Sequence, residues 1–318
     1  MSSIIRSFDK IFPIHNLVVS RSTHSPLRYP GGKSKISTFL EDLILLNNLE
    51  NGTIYELYAG GAGASLNLLF SGVCKNIVLN DLDYRIYSFW RSILQETTEF
   101  NRLVENTAIN IEEYNRQKHI YTEYENYNYL EVGFSTFYLN RCNRSGILSA
   151  GPIGGKNQNG NYKIDVRFNK ADLMDRISMI GDKKGQIEIR NEESLSILKS
   201  LFENKTEKSF LFLDPPYYKQ GEKLYFNSYN DENHSNLANF LKQNQNTIPW
   251  FLTYDNCKEI QALYKDCRTS TLPMTYTLQR KMKAKEIMVF SKNLHLPYNI
   301  RMGKKSHKLI IKNESIGI

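Results

Sequence analysis

The feature that most constrains this chain is a repeated pattern: a short apolar run that stops at glycine or polar residues, followed by a segment with helical spacing. Thr53 to Ala59 ends in a glycine-rich turn and then SLNLLFSG, while Asn76 to Leu79 ends at Asn80 and Asp81 and precedes YRIYSFWRSIL. KSFLFLDPP from Lys208, PWFLTYD from Pro249 and KEIMVFS from Lys285 are further apolar runs with polar ends. Such runs suit strands covered on both faces, and their alternation with helices predicts a parallel sheet in an α/β fold. Ahead of the first strand, the turn-forming stretch PLRYPGGK leads into an amphipathic segment, Ser37 to Leu46, that predicts a helix. Residues 106–186 break the pattern, being rich in Asn, Tyr, Lys and Arg and including the loop-like GPIGGKNQNGNY. The expected organisation is an extension over 1–25, a main α/β domain over 26–105 and 187–300, an inserted subdomain over 106–186, and a basic tail over 301–318. That tail (RMGKKSHKLIIK to residue 312) is expected to be poorly ordered.

Several classes of protein are excluded. No stretch approaches the roughly 18–20 apolar residues of a membrane helix. The first twenty residues carry Arg6, Asp9, Lys10 and His15 and do not resemble a signal peptide. Cys74, Cys142, Cys257 and Cys267 form no CxxC pair, and the histidines fall singly, so neither a disulfide framework nor a metal site is expected. A cytoplasmic protein without a membrane partner fits these features. Lys and Arg number 41 against 33 acidic residues, a net charge of +8 that favours a polyanionic partner without proving one.

Two constellations carry chemistry. The first is Tyr58-Ala59-Gly60-Gly61-Ala62-Gly63 at a strand-to-helix turn, with Asp81 at the end of the next strand, eighteen residues beyond Gly63. Glycines let backbone pass close to a ligand, and the acid can accept hydrogen bonds from ribose hydroxyls. Together they predict a nucleoside-containing cofactor. The second is Asp214-Pro215-Pro216-Tyr217, directly after FLFL. Consecutive prolines have no N–H, so a carboxylate beside a proline carbonyl offers two acceptors and no donor. That pair suits an NH₂ group. Two acceptors on its hydrogens favour pyramidal nitrogen and stabilise the charge that develops as the nitrogen is alkylated. Tyr217, and with it Tyr218, offers an aromatic face for a base drawn out of a duplex.

With these motifs in hand, the chain resembles the Dam-type adenine-N6 DNA methyltransferases. The matching pieces fall in the family's order from Pro26 to Ser291: PLRYPGGK, YELYAGGAGASLNLL, NDLDYRIYSFW, FYLNRCNRSGIL, GPIGGKNQNGNYKIDVRFNK, FLDPPYY, WFLTYD and KEIMVFS. The resemblance implies a Rossmann-like S-adenosylmethionine-dependent methyltransferase sheet with a reversed last strand and an inserted DNA-recognition subdomain. It implies S-adenosylmethionine as methyl donor, S-adenosylhomocysteine as product, no metal, and double-stranded DNA as partner. It is compatible with a companion restriction endonuclease that forms no stable complex. Carried over residue by residue, Asp214, Pro215, Pro216 and Tyr217 form the catalytic motif. Tyr29, Lys33, Glu56, Tyr58, Gly60, Gly61, Gly63, Asp81, Glu193 and Asp214 surround the cofactor. The chain departs from the family pattern at Leu57, where Pro is usual, at Tyr58 for Phe, at Glu193 for Asp, and at Asn233 before His234.

The insertion is the expected DNA reader, through Asn140, Arg141, Asn143, Arg144, Lys156, Asn157, Gln158, Asn159, Lys163 and Arg167. Arg pairs with guanine edges, Asn and Gln with adenine edges, and Lys with phosphates. Two alternatives stay open: methylation of cytosine N4, of RNA or of a glutamine amide at the same kind of site, and a DNA-binding module without catalysis.

Overall fold

A computed structural model of the chain describes residues 23–29, 32–204, 208–219, 229–277, 281–302 and 305–313. The expectations for residues 1–22, for Pro30 and Gly31, and for 303–304 and 314–318 of the tail lie outside the described residues.

Seven strands form the sheet: β1 (Thr53–Glu56), β2 (Asn76–Asn80), β3 (Ile187–Arg190), β4 (Ser209–Leu213), β5 (Trp250–Asp255), β6 (Arg268–Thr277) and β7 (Lys281–Phe290). Their order is β3-β2-β1-β4-β5-β7-β6. The first five run parallel, and β7 inserts antiparallel between β5 and β6. The expected Rossmann-like methyltransferase sheet with its reversed strand is therefore present.

Period-2 alternation explains how the sheet is covered. Ile54, Ile77, Leu79, Phe210, Phe212 and Phe251 point into one buried cluster with helices α1 (Ser37–Leu46), α2 (Gly63–Ser71) and α3 (Tyr84–Gln95). Their neighbours Tyr55, Val78, Leu211, Leu213 and Leu252 point into another, with α8 (Ser194–Asn204), α9 (Asp231–Gln243) and α10 (Lys258–Leu263). The strand order reverses between β1 and β4, so their carboxyl ends diverge and open a crevice there.

Residues 106–186 are more helical than their polar composition suggests. They contain α5 (Ile111–Thr122), α6 (Tyr129–Cys142) and α7 (Lys170–Asp182), preceded by α4 (Thr97–Asn106). Phe134, Phe137 and Tyr138 of α6 and Leu173 and Ile177 of α7 enter the same cluster as the sheet. At Gly133 an added Cβ would stand 2.6 Å from the Ser88 carbonyl oxygen and from Ser92 Oγ, so glycine is what lets α6 cross α3 closely.

The expectation of a poorly ordered tail is corrected. The strands β8 (Asn299–Met302) and β9 (Lys305–Lys308) pair, and Lys312 bridges Thr269. Arg301 also binds Asp42 on α1, while its carbonyl accepts from Thr38 Oγ1 at 2.8 Å. Among the described residues no helix is long and apolar enough to cross a membrane.

Candidate active site

The glycine-rich turn after β1 is fixed from several sides. Gly60 and Ala62 both take left-handed backbone, with φ of 45° each. Gly60 donates its N–H to Asp81 Oδ2 at 2.8 Å, and its carbonyl accepts from the Trp90 indole at 2.9 Å. A Cβ on Gly60 would meet the Tyr29 ring at 2.7 Å, and one on Gly63 would meet Ser34 Oγ at 2.2 Å. Sequence reasoning took these glycines as room for a ligand; in the fold they also make room for Tyr29 and Ser34. Buried Asn80 ties the strand ends together, donating to the carbonyls of Leu57 at 3.1 Å and Glu192 at 3.0 Å.

Two carboxylates stand beside this turn. Glu56 accepts from the Ser65 N–H at the start of α2, at 3.3 Å. Burial pushes its carboxyl up to about 8, opposed first by the hydrogen bonds from Ser65. Asp81 is pushed up to about 7 by burial and by the neighbouring charge of Asp83. Tyr58 pairs its hydroxyl with Tyr229 at 2.7 Å, which supplies the partner that a tyrosine at this position needs. Glu193 is exposed and accepts the Leu195 N–H at 3.1 Å, at the start of α8, while Ser194 lines the cleft beside it.

Across the crevice, β4 delivers Asp214. Its Oδ1 accepts from Thr253 Oγ1 at 2.6 Å, and its Oδ2 accepts from Lys33 Nζ at 2.7 Å. Burial raises the Asp214 carboxyl, and the Lys33 charge opposes that rise. Lys33 is 4% exposed and also donates to the Tyr217 hydroxyl at 2.9 Å. Glu286, on β7, pairs with Lys33 at 3.3 Å and accepts the Tyr217 hydroxyl proton. The Asp-Pro-Pro-Tyr loop is held from beneath by Asp255, whose oxygens accept the N–H groups of Tyr218 at 2.9 Å and Lys219 at 3.1 Å. Pro215 is buried and, unlike Pro216, is not among the residues lining the cleft.

One cleft of about 920 Å³ gathers Tyr29, Lys33, Glu56, Tyr58, Gly60, Gly61, Gly63, Asp81, Asp214, Pro216 and Tyr217. The fit to a nucleoside sulfonium is chemical. Glu56 is a buried acceptor and Asp81 a partly buried one, the charged forms of both gain from hydroxyl and ammonium donors, and the glycine turn brings backbone close beside them. Glu286 and Tyr229 were missed in the sequence. A charged residue inside the apolar run KEIMVFS was the available signal for Glu286; Tyr229 had none.

The proposed DNA readers divide. Arg144, Lys156, Asn157, Asn159, Lys163 and Arg167 are exposed, and Arg141 and Arg167 line the cleft. Three assignments are corrected. Asn140 is fully buried and bonds the Arg28 N–H at 2.7 Å and the carbonyls of Arg28 and Gly146 at 2.8 and 2.9 Å. Asn143, equally buried, accepts from Tyr114 at 2.9 Å and donates to the Ile147 carbonyl at 2.9 Å. Gln158 donates to the Ile153 carbonyl at 2.8 Å and accepts the Ile164 N–H at 2.8 Å. All three spend their amides within the fold, on backbone groups and, for Asn143, on the Tyr114 hydroxyl, and have none to offer a base. Asn233, for its part, forms a reciprocal cap with Asn230 at the start of α9. Among the described residues no group of three or more His, Cys, Asp or Glu side chains is arranged to hold a metal.

Comparison with known proteins shows what the chain is similar to. The chain is 26% identical over 263 residues to the modification methylase StsI of Streptococcus sanguinis, covering 76% of this chain but 37% of that protein. It is 25% identical over 235 residues to the type II methyltransferase M.CviBI of Paramecium bursaria Chlorella virus NC1A, covering 69% of this chain and 79% of that one. Among solved structures, the rRNA methyltransferase AviRa of Streptomyces viridochromogenes aligns over 82% of this chain and 86% of its own, with 10% identity and a TM-score of 0.35, too distant to bear on the site. The sequence profile of one family matches residues 29–281, most of the chain and both walls of the cleft, and on that match the chain belongs to the D12 class N6 adenine-specific DNA methyltransferases.

Proposed function

We propose that this protein transfers a methyl group from S-adenosylmethionine to the N6 amino group of an adenine turned out of double-stranded DNA. The observation that carries this reading is the single cleft in which Asp214 faces the glycine turn with Glu56 and Asp81. S-adenosylmethionine, when bound, supplies an electrophilic methyl group on a sulfonium. Asp81 holds ribose hydroxyls and Glu56 holds a positively charged donor. Asp214 and the Pro215 carbonyl accept the two amino hydrogens, which frees the nitrogen lone pair for in-line attack. Thr253 and Lys33 fix the Asp214 carboxylate before the base arrives. After transfer the methylated nitrogen sheds a proton, which the Asp214 carboxylate, raised by burial, is suited to accept. Tyr217 stacks on the flipped base, its ring locked by the bonds of its hydroxyl to Lys33 and Glu286.

The protein then acts where DNA lies, in the cytoplasm. The StsI relative is named a modification methylase, which is compatible with a companion restriction endonuclease for this protein. Mass spectrometry of nucleosides from duplex DNA incubated with enzyme and S-adenosylmethionine tests the reading. N6-methyladenine is the expected product; N4-methylcytosine, or methylation confined to RNA or protein, overturns it.

A further inference from the structure

Of the five arginines that line the cleft, Arg85 is paired with Asp83; the other four are Arg28, Arg141, Arg167 and Arg176. They come from the segment before Lys33, the end of α6, the loop that follows it, and α7. Carbonyl oxygens orient three of them, Arg28, Arg141 and Arg176. Arg28 Nη1 donates to the carbonyls of Arg141 at 3.4 Å and Asn143 at 3.1 Å. Arg141 Nε donates to the Arg167 carbonyl at 2.8 Å, and its Nη1 to that of Pro26 at 3.3 Å. Arg176 Nη1 donates to the carbonyls of Thr23 at 3.0 Å and Ser25 at 3.1 Å. Carbonyls orient a guanidinium without cancelling its charge. Asp172, 2.9 Å from Arg176, is the carboxylate the structure pairs with the group. The cations therefore oppose one another. Burial and the charge of Arg167 lower Arg28, while burial with Arg28 and Arg176 brings Arg141 down to about 9.

We infer that these four arginines clamp the phosphodiester backbone of the DNA strand that enters the cleft, and that Arg141 and Arg167 contact phosphate rather than base edges. The inference rests on the proposed function. Like charges are gathered at a cost that an arriving polyanion recovers, and planar guanidinium groups match phosphate oxygens in pairs. The cofactor's single carboxylate is a poorer match for three guanidinium groups that have no acid bonded to them among the described residues. The basic surface also continues outward through the exposed Arg144, Lys156 and Lys163 of the same loop, as a backbone track requires and a carboxylate does not.

The test uses Arg167→Gln, because the Arg167 guanidinium is exposed and its carbonyl, which holds Arg141, is unaffected by the change. Binding of a duplex oligonucleotide of arbitrary sequence is measured from 50 to 200 mM salt, with S-adenosylhomocysteine binding by calorimetry in parallel. The variant is expected to bind duplex roughly tenfold more weakly at low salt and to reduce the slope of log K against log salt by about 1. Arg167→Lys restores the slope, and affinity for S-adenosylhomocysteine stays within about twofold of wild type. An unchanged slope overturns the clamp, as does loss of S-adenosylhomocysteine binding with DNA binding intact, which would give the arginines to the cofactor carboxylate. Wild-type transfer to adenine with an unchanged slope sinks the clamp alone. An arginine-dependent slope in an enzyme that methylates another substrate sinks the proposed function alone.

Discussion

At Tyr217 one side chain meets two demands. Its ring lines the cleft, yet it is only 7% exposed and its hydroxyl is engaged by Lys33 and Glu286. A ring fixed in this way loses little freedom when a base stacks on it. Replacing Tyr217 by Phe keeps the face and removes the tether, whereas Tyr217→Ala removes both. The alanine variant is expected to weaken capture of the flipped base by about 1–3 kcal/mol, with phenylalanine between it and wild type. Fluorescence of 2-aminopurine at the target position measures both, and equal enhancement in all three proteins contradicts the stacking role. The Asp-Pro-Pro-Tyr motif was legible because Asp and two prolines after an apolar run have few other uses. Its support was not. Lys33 and Glu286 meet it from positions 181 residues before and 69 residues after it, and only the insertion of β7 beside β5 brings Glu286 under the tyrosine.

Among the elements, α6 was the most misleading. Its Asn140 and Arg141 suggested a DNA-facing surface, but nearly every residue from Val132 to Cys142 is buried. Asn140 follows Phe137 by three residues and Thr136 by four, which puts it on the buried face of a helix; an apolar surface all round was the sign of a core helix. Asn140→Ala would strand the Arg28 N–H and the carbonyls of Arg28 and Gly146. A loss of about 1–3 kcal/mol per unsatisfied buried group is expected. Thermal unfolding would show it as a lowered Tm, with the salt slope of DNA binding unchanged when extrapolated to folded protein. An unaltered Tm would return Asn140 to the list of base readers. The sheet strands, by contrast, were legible because burial on both faces leaves long apolar runs. β3 and β6 escaped notice because edge strands alternate or carry polar residues, as in IEIR and RTSTLPMTYT.

For the molecule as a whole, the two raised carboxyls couple cofactor binding to pH. Glu56 at about 8 and Asp81 at about 7 lie above the values near 4 of an unfolded chain. The folded protein therefore holds more protons than the unfolded one between about pH 4 and 8, and these groups make it less stable as pH rises through that window. A ligand that donates to the two carboxylates lowers both values and releases protons. Affinity for S-adenosylhomocysteine is expected to rise with pH up to about 8 and then level off, with proton release near pH 7 seen by calorimetry in buffers of different ionisation enthalpy. Proton uptake, or affinity that falls over this range, contradicts the assignment of Glu56 and Asp81 to the cofactor. The basic surface has its own place at this scale. The net charge of +8 pointed toward a polyanion, but only the fold shows that five arginines gather on the cleft that holds Asp214.

The most direct measurement is transfer of labelled methyl from S-adenosylmethionine to unmethylated duplex DNA, with wild type and Asp214→Ala compared at equal cofactor and DNA occupancy. Label in N6-methyladenine is expected for wild type and none for the variant, both proteins binding cofactor and duplex. Transfer by Asp214→Ala at a near-wild-type rate would contradict the account, because the amino group would then be activated by something other than the carboxylate at the end of β4.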